Sequence, residues 1–318
     1  GTAKTMFSYI VRRLLYSVPI LLGVILITFT LDSVMMTPEA KALRVLGPKS
    51  AKHARDEWIH NRGLDRPIPQ QFVQYVKNLA TFNFGTTWVT GRSVRDVFLQ
   101  GAGPSLLITV PGFFAALLAS LGLALFQVFV RDSPLDRSLT IFSVALMSVP
   151  TMVYVIFTQA ILALALNYFP AFGFEYGGIG MIRFLLLPVA IFMLINLGHD
   201  ARMYRAIFLE EINQDYVRTA YAKGVSNTRV LTQHVFKNGL IAIITLVVAD
   251  LPKLILGSLL IESLFGIPGV GSVLRQSIES GDQPVVMTSV FLGSALYLVG
   301  LILTDICYAM ADPRIRLS

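Results

Sequence analysis

The sequence predicts an all-α polytopic membrane protein: a bundle of six transmembrane helices with a long insertion between the first and the second. Three observations predict it. Charged residues make up only 14% of the 318 residues and hydrophobic ones 54%, whereas a soluble domain carries about 25% charged residues. That depletion fits a bilayer, where an ionised side chain at the centre costs about 2.5–3.5 kcal/mol on insertion scales. Six apolar runs approach the roughly 20 residues that span a hydrocarbon core as a helix. Lys and Arg, finally, crowd onto alternate connections between those runs.

The first element covers residues 6–31, with Arg12 and Arg13 at its start. No small-residue cleavage site follows it, so it reads as a membrane helix and not as a removed signal. The five residues before Met6, GTAKT, read as a cloning scar. Residues 32–104 form the insertion. Its stretch RPIPQQFVQYVKNLATF places Ile68, Phe72, Val76 and Leu79 near one helical face, with prolines at the start, where a helix tolerates them. That face suits either a small cap over the bundle or a helix lying on the membrane surface.

The core membrane domain, 105–318, holds the other five helices. Residues 105–130 and 139–168 are long apolar runs, both without a charge. The fourth has an uncharged core at 184–198 and extends towards Tyr204, with Arg202 reaching back to the interface. The fifth begins at Leu240, is interrupted by DLPK and resumes as LILGSLLIE. The sixth covers 285–304.

Orientation follows from the short connections. If the N-terminus is cytoplasmic, thirteen Lys and Arg fall inside, Arg314 and Arg316 among them, against Arg183 and Arg275 outside. Both termini are then cytoplasmic and the insertion is extracytoplasmic. The formal charge of +7 reflects those inner cations and not a nucleic-acid partner. The single cysteine, Cys307, excludes an internal disulfide and any cysteine zinc site, and it sits in an apolar run as packing.

One inner connection is too polar and too ordered for a linker. Residues 205–239 form an elbow, in which Ile212, Tyr216 and Ala220 recur four apart on a helical face. Gly224 suits the left-handed position that ends a helix. Ser226 then stands as the N-cap of a second helix leading into the fifth span. The result is a helix–glycine–helix element shaped to dock a soluble partner.

Two ionisable residues interrupt the fifth span. Asp250 and Lys253 flank Pro252, which removes a helical hydrogen bond. Intramembrane charges usually face a bundle interior or a watery cavity, so the two either line a translocation path or form an internal ion pair. Glu262 and Asp305 read as interfacial and are not assigned to substrate.

Catalysis finds no support. His53, His60, His199 and His234 are scattered and lack H-E-x-x-H spacing; His53 and His60 share the outer insertion, where two exposed histidines read as surface and not as a metal site. No G-x-S-x-G elbow is present. The phosphate-cradling G-x-x-x-x-G-K-[ST] stretch is missing, so this chain binds no ATP through such a loop.

The elbow sequence QDYVRTAYAKGVS resembles the cytoplasmic motif of the permease subunits of bacterial ABC importers. It is most similar to the oligopeptide, dipeptide and nickel class. The class has a Thr-Ala-x-Ala-Lys-Gly core, matched here by Thr219, Ala220, Ala222, Lys223 and Gly224. The wider importer motif opens Glu-Ala-Ala, where this chain has Arg218, Thr219 and Ala220. Further matches run in order along most of the chain: RRLL, GLDRPIPQQF, FGTTWVTGRSV, SPLDR, IESLFGIPGVG, DQPVV and ADPRIR.

The resemblance implies a mechanism and a set of partners. The helix around Thr219 to Gly224 would fit a groove on a separate ATPase and move with it. Small Ala220, Ala222 and Gly224 would allow close approach, while Arg218, Lys223 and Arg229 would pair with acidic groups. ATP and magnesium would be held by two ATP-binding partner subunits, with no cofactor on this chain. A second homologous permease, an extracytoplasmic solute-binding protein and lipid of the bacterial inner membrane complete the assembly. The cargo class is peptides or related small solutes, spanning dipeptide, oligopeptide, nickel chelate, glutathione and antimicrobial peptide. A stand-alone secondary transporter or channel is the alternative; it predicts inverted repeats and leaves the elbow unexplained. An intramembrane enzyme would need a catalytic constellation that the sequence lacks.

Overall fold

The computed structural model describes residues 2–311, with side chains from 11 to 307 except those of Ile179 and Lys253. Arg314 and Arg316 therefore lie outside the described residues. Among the described residues the chain is helical, apart from turns and one isolated bridge between Thr86 and Ser93.

Helix α1 (Thr2–Met35) is followed by three short helices of the insertion, α2 (Pro38–Leu46), α3 (Lys52–Asn61) and α4 (Ile68–Ala80). Helix α5 (Val94–Phe129) leads to α6 (Pro134–Ser148) and α7 (Thr151–Thr158), the latter continued by a π-turn at Gln159–Ala165. Helix α8 (Gly178–Ile212) enters the elbow, α9 (Asp215–Ala222) and α10 (Asn227–Val230). A π-turn at Leu231–Val235 then joins α11 (Phe236–Asp250), and a 3-10 turn follows at Leu251–Leu256. Helices α12 (Leu259–Phe265), α13 (Val270–Ser280) and α14 (Gln283–Ala311) complete the order.

Five stretches are long and apolar enough to cross a membrane: Val11–Met35, Val94–Phe129, Gly180–Ile212, Asn227–Phe265 and Gln283–Cys307. Pro134–Ser148 and Thr151–Ala165, bent by 93° between them, make a sixth when the pair is counted as one span. The single span expected over 139–168 is thus divided into two bent halves. Pro150 is the reason: it offers no N–H and holds Val149 extended, at φ −87° and ψ 121°. The Tyr154 hydroxyl donates to the Leu146 carbonyl at 2.8 Å and braces the bend.

The insertion seats on the bundle. Phe72, Tyr75, Val76 and Leu79 of α4 pack with Leu21 and Ile25 of α1 and with Phe291 and Leu292 of α14. Phe29 stands edge-on to Phe72 at 5.2 Å and stacks on Tyr75 at 5.9 Å. The cap arrangement is therefore adopted, with one change of face: Ile68 is 59% exposed, and Tyr75 takes the inward place. Burial, and then the nearby Asp32 carboxylate, push the Tyr75 hydroxyl above its ordinary range.

Polar clasps hold the rest of the insertion. Lys41 pairs with Asp32 at 2.6 Å, both largely buried. The Arg44 guanidinium donates to the carbonyls of Ile278 at 2.8 Å and Glu279 at 3.2 Å, capping the end of α13. The Trp88 amide donates to the Asp282 carboxylate at 2.8 Å, at the start of α14. At the far end of the first and last helices, Arg13 pairs with Asp305 at 2.6 Å.

Helix α5 is the ruler of the molecule. Its 36 residues measure about 54 Å at 1.5 Å per residue. Its first half meets α13, and its last turns meet the elbow. A cluster of Ala124, Val128, Tyr204, Phe208, Val217, Ala220, Val230 and Val235 forms the core there.

Candidate functional site

The elbow begins where α8 ends. Gln214 stands extended at φ −71° and ψ 151°, and α9 starts after it with Asp215 in its first turn. At the other end the Gly224 amide donates to the Tyr221 carbonyl at 2.9 Å, and the Val225 amide to the Ala220 carbonyl at 3.2 Å. Those two bonds, with Gly224 at φ +78°, make a Schellman ending. The glycine expected to turn the chain is the residue that turns it. Val225 then packs on the same cluster as Ala220, the apolar contact that accompanies such an ending.

Ser226 occupies the N-cap position of α10, extended at φ −62° and ψ 149°. Its carbonyl accepts from Val230 at 2.9 Å, but its side chain makes no capping bond. Tyr221 and Asn227 join the two arms directly, hydroxyl to side-chain carbonyl, at 2.7 Å.

The two faces of α9 differ sharply. Val217 and Ala220 are buried against α8, α5 and the second arm. Arg218, Thr219, Ala222, Lys223, Gly224 and Ser226 are exposed. The expected contact face thus loses Ala220, which serves the bundle, and the inward repeat runs through Val217 instead of Tyr216. Tyr216 is 38% exposed and donates to the Glu211 carboxylate. Burial first, and that carboxylate second, raise its hydroxyl above the ordinary range. Arg218 meets Asp215 at 3.5 Å with both side chains in solvent, a pair worth little. The outward face is therefore cationic, small and nearly uncommitted.

A second construction lies behind the elbow, on SPLDR. Ser133 accepts the Asp136 amide at 3.2 Å and so caps α6. The Asp136 carboxylate pairs with Arg205 of α8 at 2.8 Å, the side chains being 7% and 23% exposed. This joins the start of α6 to the helix that enters the elbow.

The interrupted fifth span leads to a residue that the sequence pattern left unassigned. Asp250 is partly buried at the head of the 3-10 turn and has partners within the fold. The side chain of Lys253 lies outside the described residues. The turn itself is tied to α5, because Thr109 donates to the Leu254 carbonyl at 2.9 Å.

Beyond it, Glu262 is fully buried and not interfacial. Its Oε1 accepts from the Ser105 hydroxyl and the Ser258 amide, both at 2.9 Å. Its Oε2 accepts from the amides of Gly271 at 2.8 Å and Ser272 at 3.2 Å. These bonds use about the full acceptor capacity of a carboxylate, and the first turn of α13 adds its dipole. Side chains at Gly257 or Gly269 would collide with the carboxylate. The signal in the sequence was a lone glutamate in an apolar run, followed within ten residues by Gly-Ile-Pro-Gly-Val-Gly.

The chain is similar to known proteins along nearly its whole length. The family described as "Binding-protein-dependent transport system inner membrane component" matches residues 112–317, and its N-terminal companion matches residues 6–90. The chain is 30% identical to the oligopeptide transport system permease protein AppB of Bacillus subtilis, over 98% of this chain and 100% of that one. It is 31% identical to the di/tripeptide transport system permease protein DppB of Pseudomonas aeruginosa, over 98% and 99%. Among solved structures, an inward-facing form of the MetNI methionine ABC transporter shares the fold. The TM-score is 0.52 at 15% identity, covering 70% of this chain and 96% of that one.

Proposed function

Because the chain belongs to the family of binding-protein-dependent transport system inner membrane components, we propose that it forms half of the translocation pathway of a peptide importer driven by ATP. Its elbow is the element that meets the motor. The other half is a second homologous permease. Two ATP-binding subunits, carrying ATP and magnesium, dock on the elbow face. A solute-binding protein delivers peptide to the insertion side. The elbow and both termini face the cytoplasm.

One observation carries the reading: α9 is rigidly seated by Val217 and Ala220 while its opposite face, around Arg218 and Lys223, is open and cationic. A close-packed core does not absorb displacement. A push on α9 therefore moves the ends of α5 and α8 on which it rests. Helix α5 carries that movement along its length to Ser105, which is bonded to Glu262. The interrupted segment after Asp250 lies beside this lever and is the natural place for the path to open.

The test is reconstitution of the chain with its companion permease, ATP-binding subunits and binding protein in vesicles. Labelled peptide is expected to accumulate only with ATP on the elbow side. Accumulation without ATP, or by this chain alone, would overturn the reading.

A further inference from the structure

A cavity of about 760 Å³ lies between α4, the turn after α3 and the first residues of α14. It falls within the roughly 300–1,000 Å³ of small-ligand sites, and the coupling mechanism makes no use of it. From its lining we infer that it is a reception site for a short peptide with free termini, an inference that rests on the peptide-importer reading above.

The lining carries both charges that a zwitterionic peptide needs. Asp32 gives one carboxylate oxygen to Lys41 at 2.6 Å, while the other, Oδ1, is buried without a partner. Asp32 lines the cavity, and this oxygen, sealed just beneath the lining, becomes an acceptor for an ammonium group when the carboxylate turns towards it. Arg62 and Arg66 line the same cavity. Arg62 is held by stacking, its guanidinium 4.2 Å from the centre of the Trp58 ring. Arg62 feels the charge of Asp282 and Arg66 that of Asp65, but neither guanidinium donates a hydrogen bond to another described residue, so both keep their donors for a ligand carboxylate.

Between these groups runs a ladder of amides. Gln70, Gln74 and Asn78 line the cavity from successive turns of α4. They cover about 12 Å of helix, the length of roughly three to four extended residues. Gln74 donates to the Asn78 side-chain carbonyl at 2.8 Å. This leaves the Gln74 carbonyl and the Asn78 amide group for a peptide unit, which needs one of each. An inorganic anion would leave the Asp32 Oδ1 without a donor, since Lys41 answers only Oδ2, and a neutral sugar would leave the two arginines without a carboxylate.

The full chain in lipid nanodiscs is titrated with trialanine, with its C-terminal amide and with its N-acetyl form, by calorimetry. Trialanine is expected to bind, and each blocked form to bind at least tenfold more weakly, the loss of one charge-assisted contact. Arg66→Gln, which removes no hydrogen bond of the fold, is expected to weaken trialanine at least tenfold and to erase the preference over the amide. Gln74→Leu is expected to weaken all three peptides together. Absence of trialanine binding to the parent, or an unchanged preference in a folded Arg66→Gln chain, overturns the inference. It is equally overturned if Arg66→Gln impairs only capture of the binding protein. Uptake by the reconstituted complex separates the two levels. ATP-driven uptake with no binding in the cavity removes the reception site alone, whereas loss of ATP dependence removes the importer reading.

Discussion

The Tyr221 hydroxyl donates to the side-chain carbonyl of Asn227 at 2.7 Å, bridging the two arms of the elbow over Gly224. Together with the Schellman bonds it makes the turn a fixed corner. A corner of this kind transmits force only if its backbone can stay left-handed.

Gly224→Val tests that dependence. No atom lies within 4 Å of where a Cβ would stand, so the substitution brings strain without a clash. The strain at φ +78° is about 1–2 kcal/mol, too little to prevent insertion and expression. Uptake is expected to fall to background while the chain still reaches the membrane, and the ATP-binding subunits to co-purify poorly. Normal uptake with full ATPase response would remove the elbow from the mechanism.

Glu262→Gln is expected to be severe although it is isosteric. The amide group would present donors to the N–H groups of Gly271 and Ser272, or to Ser105 and Ser258. Two lost bonds and a buried donor facing donors amount to about 3 kcal/mol or more. Ser105→Ala is milder in kind, but it also strands the Val270 amide, which donates to Ser105 at 2.8 Å. Melting in detergent micelles should rank parent above Ser105→Ala above Glu262→Gln; equal melting of parent and glutamine variant contradicts the assignment.

The Asp136–Arg205 pair gives a third measurement. Asp136→Asn leaves a mostly buried guanidinium uncompensated, worth about 3 kcal/mol, the low end of the usual range because Arg205 keeps 23% of its side chain in solvent. The double change Asp136→Leu with Arg205→Met is expected to recover most of that loss in a melting experiment. A double variant as unstable as the single one would show that the charges themselves are needed.

Topology is tested by reporter fusions. A reporter active only outside the cytoplasm is expected to be active when fused at Lys52 and silent at Asn227. Activity at Asn227 would reverse the orientation and detach the elbow from any cytoplasmic motor.

Much of this was legible in the residues because membrane spans and left-handed glycines are local signals. The six apolar runs and the turn at Gly224 need no knowledge of what lies across the bundle. What could not be read depends on distant partners. Glu262 looks like an interfacial charge until Ser105 and the first turn of α13 close around it. Ala220 looks available to a partner until Phe208 and Val230 cover it. Ile68 shares a helical period with Leu79, yet α1 and α14 take Tyr75 in its place. The break at Pro150 was written in the sequence, but an apolar run hides a bend because hydropathy carries no direction.

The pairing of Arg13 with Asp305 joins residues 292 apart in sequence. Synthesis runs from one to the other, so α1 enters the bilayer long before α14 exists. Only 11% of its apolar window is buried even in the finished fold, and it can wait among lipid tails without aggregating. The insertion waits with it, since Phe291 and Asp282, which seat Phe84 and Trp88, are made among the last. Chain order thus makes the whole outer cap a late-maturing region. Nascent chains stalled before residue 282 are expected to show a protease-sensitive insertion that becomes resistant when α14 emerges.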